Sequence, residues 1–119
     1  MLILVAEDDE LILKTIEHKL QKEGYEVIVA HNGKDAIDTV KNTTVDLIIS
    51  DIMMPFASGI EILSAVKSTG RNIPVIMLSS MGQEDVVLNA FDLGASDFMV
   101  KPFSPNELIL RVKRLAAKS

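Results

Sequence analysis

The sequence predicts an α/β fold in which five parallel strands alternate with five helices. Short aliphatic runs alternate along the chain with longer segments whose apolar residues recur at helical spacing. The aliphatic runs are almost continuous, as in strands that are covered on both faces. Because crossovers between parallel strands are right-handed, such a (βα)5 chain places helices on both faces of one sheet. The 119 residues, 48% of them hydrophobic, suffice for one domain over residues 1–119.

The five strands are predicted from runs rich in aliphatic side chains. In chain order they are Leu2–Ala6, Glu26–Ala30, Leu47–Ser50, Val75–Leu78 and Phe98–Val100. Each run is too short to be a typical helix, which favours strands over buried helical segments.

The helices that follow these strands are predicted from the spacing of their apolar residues. The second helix is expected over Asp35–Lys41 and the fourth over Glu84–Leu93. The apolar residues at helical spacing in the first, second, third and fifth helices are Leu11, Ile12, Ile16 and Leu20; Ala36, Ile37 and Val40; Ile62, Leu63 and Val66; and Leu108, Ile109, Val112 and Leu115.

Capping residues indicate where the helices begin and end. Asp9 is expected to cap the first helix and Gly24 to end it. Ser58-Gly-Ile-Glu61 has the pattern of a capping box, in which the two side chains satisfy free N–H groups. Ser104-Pro-Asn-Glu107 offers an N-cap, a proline at the first helical position and the same glutamate. Gly94 is expected to end the fourth helix in a left-handed conformation.

Composition and charge exclude several classes of protein. The chain has no cysteine, which excludes disulfides and thiolate metal sites and fits a reducing compartment. The net charge of −5 lacks the basic signature of a nucleic-acid binder. No apolar stretch approaches the ~20 residues that span a bilayer, and acidic residues interrupt the first apolar run too early for a signal peptide. A soluble, cytoplasmic domain without a membrane partner is expected.

Polar side chains follow four of the five predicted strands. Glu7-Asp8-Asp9 follows the first strand, Asp51 the third, Ser79-Ser80 the fourth and Lys101 the fifth. Because ligands of open α/β sheets bind at the carboxyl edge, we expect these groups to meet there. Carboxylates, a hydroxyl and an ammonium group suit a divalent cation and a phosphoryl group. An aspartate carboxylate can also attack phosphorus and form an acyl phosphate.

The chain resembles the receiver domain of two-component response regulators. The matching segments, which occur in the right order, are ILVAEDDE (3–10), DIMMPFASG (51–59), VIMLSS (75–80) and GASDFMVKPF (94–103). The resemblance implies a flavodoxin-like fold with strand order 2-1-3-4-5. It also implies a phosphorylatable signalling switch that depends on Mg²⁺.

The resemblance implies a phosphoacceptor and a metal site. Asp51 would accept the phosphoryl group from a partner histidine kinase or phosphotransfer protein. Mg²⁺ would be bound by Glu7, Asp8, Asp51 and the backbone carbonyl of Met53, with Asp8 the more direct ligand and Glu7 acting largely through water.

The remaining roles concern the switch. Ser79, favoured over Ser80 by the alignment, and Lys101 would contact phosphoryl oxygens. Phe98 would be the aromatic switch whose rotamer follows Ser79, and the Lys101–Pro102 peptide would be cis.

Some positions near the site differ from the usual residues of the family, and two methionines flank the site. Serine stands at position 79, where threonine is more usual, and the hydroxyl is kept. Phe56-Ala-Ser58 replaces the more common Gly-Met-Asp type of segment. The thioethers of Met53 and Met81 flank the site and are expected to hinder water that attacks an acyl phosphate.

Phosphorylation is expected to change the face formed by the fourth helix, fifth strand and fifth helix, and so to control an output domain or downstream protein. The domain would not be an enzyme for other substrates, since it would catalyse only its own phosphoryl transfer and slow dephosphorylation. Three alternatives are an unphosphorylated protein-binding receiver, a flavin-binding module and an aspartyl-phosphate phosphatase. The first would require loss of the acidic pair, Asp51 or Lys101, all of which are present.

The same face carries some charges of the dimer interface that is found in receivers joined to winged-helix transcription factors. Asp97, Glu107 and Arg111 match its charged positions. Val87 and Ser96 stand where a basic and an acidic residue are usual. A monomer or a weak phosphorylation-dependent dimer is therefore expected.

Overall fold

A computed structural model describes residues 1–117 as one five-stranded parallel sheet with helices on both faces. The strand order is β2-β1-β3-β4-β5, which confirms the expected topology. The strands are β1 (Leu2–Ala6), β2 (Glu26–Ala30), β3 (Leu47–Asp51), β4 (Val75–Ser79) and β5 (Asp97–Val100). The helices are α1 (Glu10–Lys22), α2 (Gly33–Asn42), α3 (Gly59–Ser68), α4 (Glu84–Asp92) and α5 (Pro105–Ala117). The predicted domain also included Lys118 and Ser119, which lie outside the described residues.

The sheet separates two apolar cores because successive side chains of a strand point to opposite faces. Helices α1 and α5 cover one face, where Ile3 and Val5 of β1 are buried. Helices α2, α3 and α4 cover the other face, where Leu4 and Ala6 of the same strand are buried. No helix within residues 1–117 is long and apolar enough to cross a membrane.

Three strands extend one residue beyond their predicted limits. Asp51 pairs with Leu78 of β4, so that Asp51 is the last residue of β3 rather than the first residue after it. Ser79 likewise pairs with Val100, and β5 begins at Asp97. Polar residues continue the ladder because backbone pairing does not depend on the side chain. The acceptor candidate Asp51 is therefore held by the sheet itself.

The first helix begins at its predicted cap, and its buried stripe includes Ile16 and Leu20 but not Leu11. Asp9 Oδ1 accepts hydrogen bonds from the N–H groups of Leu11 and Ile12 at 3.0 and 3.1 Å, which confirms Asp9 as the N-cap. The assignment of Leu11 to the buried face is wrong, since its side chain is 77% exposed. The buried face follows Leu13, Ile16 and Leu20. Spacings of three and four residues place these three side chains on one stripe of the helix.

The second helix starts two residues earlier than predicted. Asn32 is its N-cap, and the Asn32 side chain accepts a hydrogen bond from the Asp35 N–H at 2.8 Å. Gly33, which has a low helix propensity, occupies the first turn because the loop that follows β3 packs directly on it. A Cβ atom at Gly33 would lie 1.8 Å from the carbonyl oxygen of Ala57.

The predicted ends of α3 and α4 need one correction each. Ser58 has the extended backbone of an N-cap, but within the described chain its side chain caps no N–H group, so the capping box is wrong. The Glu61 N–H, which the box would cap, donates instead to the Ser58 backbone carbonyl at 3.1 Å, and the Gly59 N–H donates to the Ile52 carbonyl at 2.9 Å. Helix α4 ends at Asp92 rather than Leu93, and Gly94 follows with φ of +108°, as expected of a left-handed cap.

Candidate functional site

The carboxyl edge of the sheet brings together three of the predicted site residues. Lys101, which follows β5, donates a hydrogen bond from Nζ to Glu7 Oε1 at 2.6 Å and another to Asp51 Oδ2 at 2.9 Å. Glu7 follows β1 and Asp51 ends β3. These two ion pairs make Lys101 the counter-charge of the acidic pocket.

Glu7 is the most perturbed acid of the pocket. Its side chain is fully buried, and burial together with the neighbouring Asp51 carboxylate raises the pKa of Glu7 to about 8, although Lys101 opposes the shift. Burial alone would lower the pKa of Lys101, but its hydrogen bonds to Glu7 and Asp51 raise it above the usual value. One ammonium group therefore compensates two carboxylates only in part.

The raised pKa of Glu7 predicts that the metal-free protein loses stability as pH rises from about 5 to about 8. In that window the folded state holds a proton on Glu7, whose pKa is about 8 there and 4.5 in the reference state, whereas the unfolded chain has released it. The free energy of unfolding should fall with pH, by at most ~1.4 kcal/mol per unit for one proton. Urea titrations in EDTA at several pH values measure this slope. The slope should flatten in Glu7→Gln; an unchanged slope would assign the effect to another group.

Asp8 completes an acidic cluster that can bind a divalent cation. One carboxylate oxygen from each of Glu7, Asp8 and Asp51 lies within 4.8 Å of the others. Asp8 is exposed, whereas the other two are buried, so the cluster is open on one side. Among the described residues, the buried Glu7 Oε2 atom has no hydrogen-bond partner. Hard oxygen ligands with one free buried lone pair fit Mg²⁺, which is usually held by one or two carboxylates and water.

The backbone of Met53 lies beside the same cluster. Its N–H group is 3.4 Å from Asp51 Oδ1, so the chain turns back over the carboxylate as it leaves β3. The Met53 side chain is half exposed at 51%. This position is compatible with the expected role of the Met53 carbonyl, which stays a prediction.

Ser79 and Ser80, which the sequence left as alternatives, differ sharply in environment. Ser79 is buried at the end of β4, and its carbonyl accepts a hydrogen bond from the Lys101 N–H at 2.7 Å. Ser80 is exposed, and its N–H donates to Gln83 Oε1 at 2.6 Å. The structure therefore places Ser79, not Ser80, beside the backbone of Lys101. The Lys101–Pro102 peptide is cis, as expected.

Phe98 connects this edge to the surface of α4 and β5. Its half-buried ring meets the ring of Phe91 edge-on, with centroids 5.5 Å apart and planes at 87°. Ser79, Phe91 and Phe98 all line one apolar cavity of about 510 Å³. A change in the Phe98 rotamer would therefore alter the wall of a surface cavity that reaches the end of β4.

The charged residues expected at a contact between two copies are paired within the chain. Asp97 accepts from Arg111 at 2.7 Å and from Arg114 at 2.8 Å. Arg111 also donates to Glu107 at 2.9 Å, and these hydrogen bonds, that to Glu107 first, raise its pKa. Sequence reasoning missed Arg114, although its place three residues after Arg111 puts both on one face of α5.

The loop between β3 and α3 holds Phe56 in an unusual conformation. Its φ is +72°, and it is the one non-glycine residue with positive φ in residues 1–117. The left-handed region costs an L-residue roughly 1–2 kcal/mol. The loop is fixed on both sides, since Gly33 donates to the Pro55 carbonyl at 3.2 Å and Ala57 is buried. The sequence indicated an altered loop here, but not this conformation.

The fold and pocket define a class of α/β protein in which acidic side chains and a lysine meet at the carboxyl edge of a parallel sheet. The family model for the response regulator receiver domain matches residues 3–113. The chain therefore belongs to the receiver-domain family of response regulators, as the sequence analysis expected.

Curated relatives and solved structures agree with this assignment. The chain is 42% identical to response regulator RR06 of Streptococcus pneumoniae, over 98% of this chain and 52% of the relative. It is 36% identical to the alkaline phosphatase synthesis transcriptional regulatory protein PhoP of Bacillus subtilis, over 98% of this chain and 49% of that protein. The receiver domain of the Francisella response regulator 1452 superposes with a TM-score of 0.89 at 35% identity, covering 98% and 97% of the two chains. The chain thus spans about half the length of the curated relatives it matches.

Proposed function

We propose that this chain is a phosphoacceptor switch in which Asp51 receives a phosphoryl group from a phosphohistidine on a partner histidine kinase or phosphotransfer protein. The observation that carries the proposal is the Lys101 ammonium group, which follows β5 and contacts both Asp51 at the end of β3 and Glu7 after β1. If Lys101 only stabilised the fold through an ion pair, one carboxylate partner would be enough. Two carboxylates and a nearby exposed third create an excess of negative charge that suits a cation and a phosphoryl group.

The proposed transfer is an in-line displacement at phosphorus. A carboxylate oxygen of Asp51 forms the new P–O bond, the P–N bond to the donor imidazole breaks, and the imidazole nitrogen keeps the electron pair and takes a proton. Lys101 already lies 2.9 Å from Asp51 Oδ2, where its charge also neutralises oxygens of the arriving group. Buried Ser79 ends the adjacent strand, and its hydroxyl is the proposed hydrogen-bond donor to the same group.

Mg²⁺ would be held by Asp8 and Asp51, by the Met53 carbonyl, and through water by Glu7. When bound, it would shield the negative charge that builds up during transfer. The oxygens of these acids and the unpaired Glu7 Oε2 support this assignment. The reaction is limited to the domain's own phosphorylation and slow dephosphorylation, so that the chain acts as a switch rather than as an enzyme for other substrates.

The proposed output passes through the face formed by α4, β5 and α5. Phosphorylation would recruit Ser79 and Lys101, move Phe98 and reshape the cavity that Phe98 and Ser79 line. Relatives about twice as long are named as transcriptional regulators, so we propose a DNA-binding or other output domain, or a downstream protein, as the recipient. The acidic receiver itself would not contact nucleic acid, and would act in the cytoplasm as a monomer or a weak phosphorylation-dependent dimer.

Incubation with Mg²⁺ and acetyl phosphate, followed by intact mass measurement, tests the proposal. One phosphoryl group should be added, and EDTA should prevent the addition. No addition under any condition would contradict the phosphoacceptor function and favour the alternative of an unphosphorylated protein-binding module.

The two methionines at the pocket predict a long-lived acyl phosphate. Met53 and Met81 are exposed beside Asp51 and after Ser79, and a thioether cannot orient water as an amide or carboxylate can. We expect Met53→Asn and Met81→Glu each to speed phosphate loss by a factor of about 3 to 10, below the ~100-fold of a well-placed general base. Mass spectra taken at intervals after removal of the donor measure the rate. Leu110→Asn, an exposed change on α5 away from the cavity that Ser79 lines, is the control, and equal rates in all four proteins would contradict the shielding role.

A further inference from the structure

We infer that Phe56 is a docking residue for the protein that donates the phosphoryl group, and that it determines which donor can use Asp51. This inference rests on the proposed function, since it names a contact for the partner of the same site. The observation behind it is an aromatic ring that is 83% exposed on a positive-φ backbone, five residues after the acceptor.

The conformation of Phe56 is imposed by the rest of its loop. The loop is closed at its base by the hydrogen bond from the Gly59 N–H to the Ile52 carbonyl at 2.9 Å. Its middle is held against α2 by the bond from Gly33 to Pro55 at 3.2 Å. Phe56 lies between this anchor and buried Ala57, so the ring is presented outward by a fixed backbone rather than by a loose tip. Asparagine or glycine would adopt the same φ at lower cost.

The free domain gains no packing from this ring. The chain has only five aromatic residues, and four of them make a packing contact in the described structure: Tyr25 and Phe103 against one core, Phe98 against the other, and the partly exposed Phe91 against Phe98. Phe56 belongs to neither core of residues 1–117. A large apolar side chain that is kept exposed on strained backbone is most simply explained by burial in a complex.

The position of the Phe56 ring indicates which partner protein would cover it. The loop begins at Asp51, and the Met53 N–H still contacts that carboxylate, so a macromolecule whose histidine reaches Asp51 must cover this edge of the sheet. Apolar surface beside the pocket adds a favourable contribution to docking that the acidic cluster itself does not supply. Met81, which is 83% exposed, is a second apolar side chain at this edge of the sheet, on the loop after β4. A small phosphodonor has no protein surface to bury the ring, so its reaction at Asp51 should not depend on Phe56.

The test compares protein and small-molecule donors on Phe56→Asn and Phe56→Tyr. Purified histidine kinases from the genome that encodes this chain are loaded with radioactive phosphate, and the kinase that labels the unsubstituted protein fastest is used. For that kinase, kcat/KM should fall at least about tenfold in Phe56→Asn, or by ~1.4 kcal/mol, and stay near the original value in Phe56→Tyr. Labelling by acetyl phosphate and by phosphoramidate, which has a P–N bond but no protein surface, should not change in either variant.

The controls separate docking from folding and from the proposed function. The melting temperature of Phe56→Asn should equal or exceed that of the unsubstituted protein, and Leu110→Asn, which removes an exposed apolar side chain from α5, should leave kinase transfer unaltered. Normal kinase transfer to Phe56→Asn overturns the inference. An equal loss of labelling by the small donors also overturns it, and so does a variant that changes only in self-association. Labelling by small donors but by no kinase also overturns it. If no donor of any size labels the unsubstituted protein, the proposed function itself fails.

Discussion

Asp51→Ala should abolish phosphoryl incorporation from acetyl phosphate in the presence of Mg²⁺, with no added mass after an incubation that modifies the unsubstituted protein fully. The substitution removes the carboxylate that ends β3 and contacts Lys101 at 2.9 Å. The fold should persist, because Lys101 keeps its ion pair with Glu7 at 2.6 Å and one of two competing acids is gone. Intact mass spectrometry gives the extent of modification, and urea unfolding verifies the fold.

Asp9→Ala is the matched control for this experiment. Asp9 lies two residues from Glu7 but caps α1 and is not part of the acidic cluster. This variant should therefore incorporate the phosphoryl group normally while losing about 1 kcal/mol of stability with the helix cap. Full modification of Asp51→Ala would place the acceptor on another carboxylate and contradict the assignment.

Gly33→Ala should destabilise the protein strongly, because this glycine leaves the least space for an added Cβ atom among the described glycines. The new Cβ would lie 1.8 Å from the carbonyl oxygen and 2.5 Å from the carbonyl carbon of Ala57. Both are backbone atoms, so either α2 or the loop after β3 must move. We expect a cost of about 3 kcal/mol or more, at the upper end of overpacking. Urea unfolding followed by circular dichroism measures it.

Gly24→Ala provides the comparison, because it isolates backbone strain from steric overlap. Gly24 has φ of +91°, and a Cβ there meets no described atom within 4 Å. Its loss should be about 1 kcal/mol, from the left-handed conformation alone. Similar losses in both variants would show that the contact between Gly33 and Ala57 relaxes easily.

The fold and the centre of the site were predictable because both depend on strong local signals. Runs such as Leu2–Ala6 have a composition that suits only a buried strand, and parallel topology then places every strand end at one edge. Once Asp51 and Lys101 are known to lie at the same edge, two strands apart, the attraction of opposite charges favours their contact. The resemblance to receiver domains added the strand order and the expected role of each residue in the site.

Features that depend on contacts between distant segments were not predictable. Gly33 lies in a helix only because the loop at Ala57 needs the space, and local helix propensity argues against it. Leu11 continues the apolar pattern of α1, yet burial is decided by the stripe that faces α5 and the sheet. Ser58 has the sequence of a cap, but the Glu61 N–H, which its side chain would cap, donates to the Ser58 backbone carbonyl at 3.1 Å instead. The pairing of Asp97 with Arg114 similarly requires the position of α5 over β5.

The ion pair between Glu7 and Lys101 joins residues that are 94 positions apart. Ribosomal synthesis delivers Glu7 and Asp51 well before it delivers the ammonium group that neutralises them. The pocket is therefore complete only after β5 has been translated, and an abandoned nascent chain that ends before Lys101 lacks the cation.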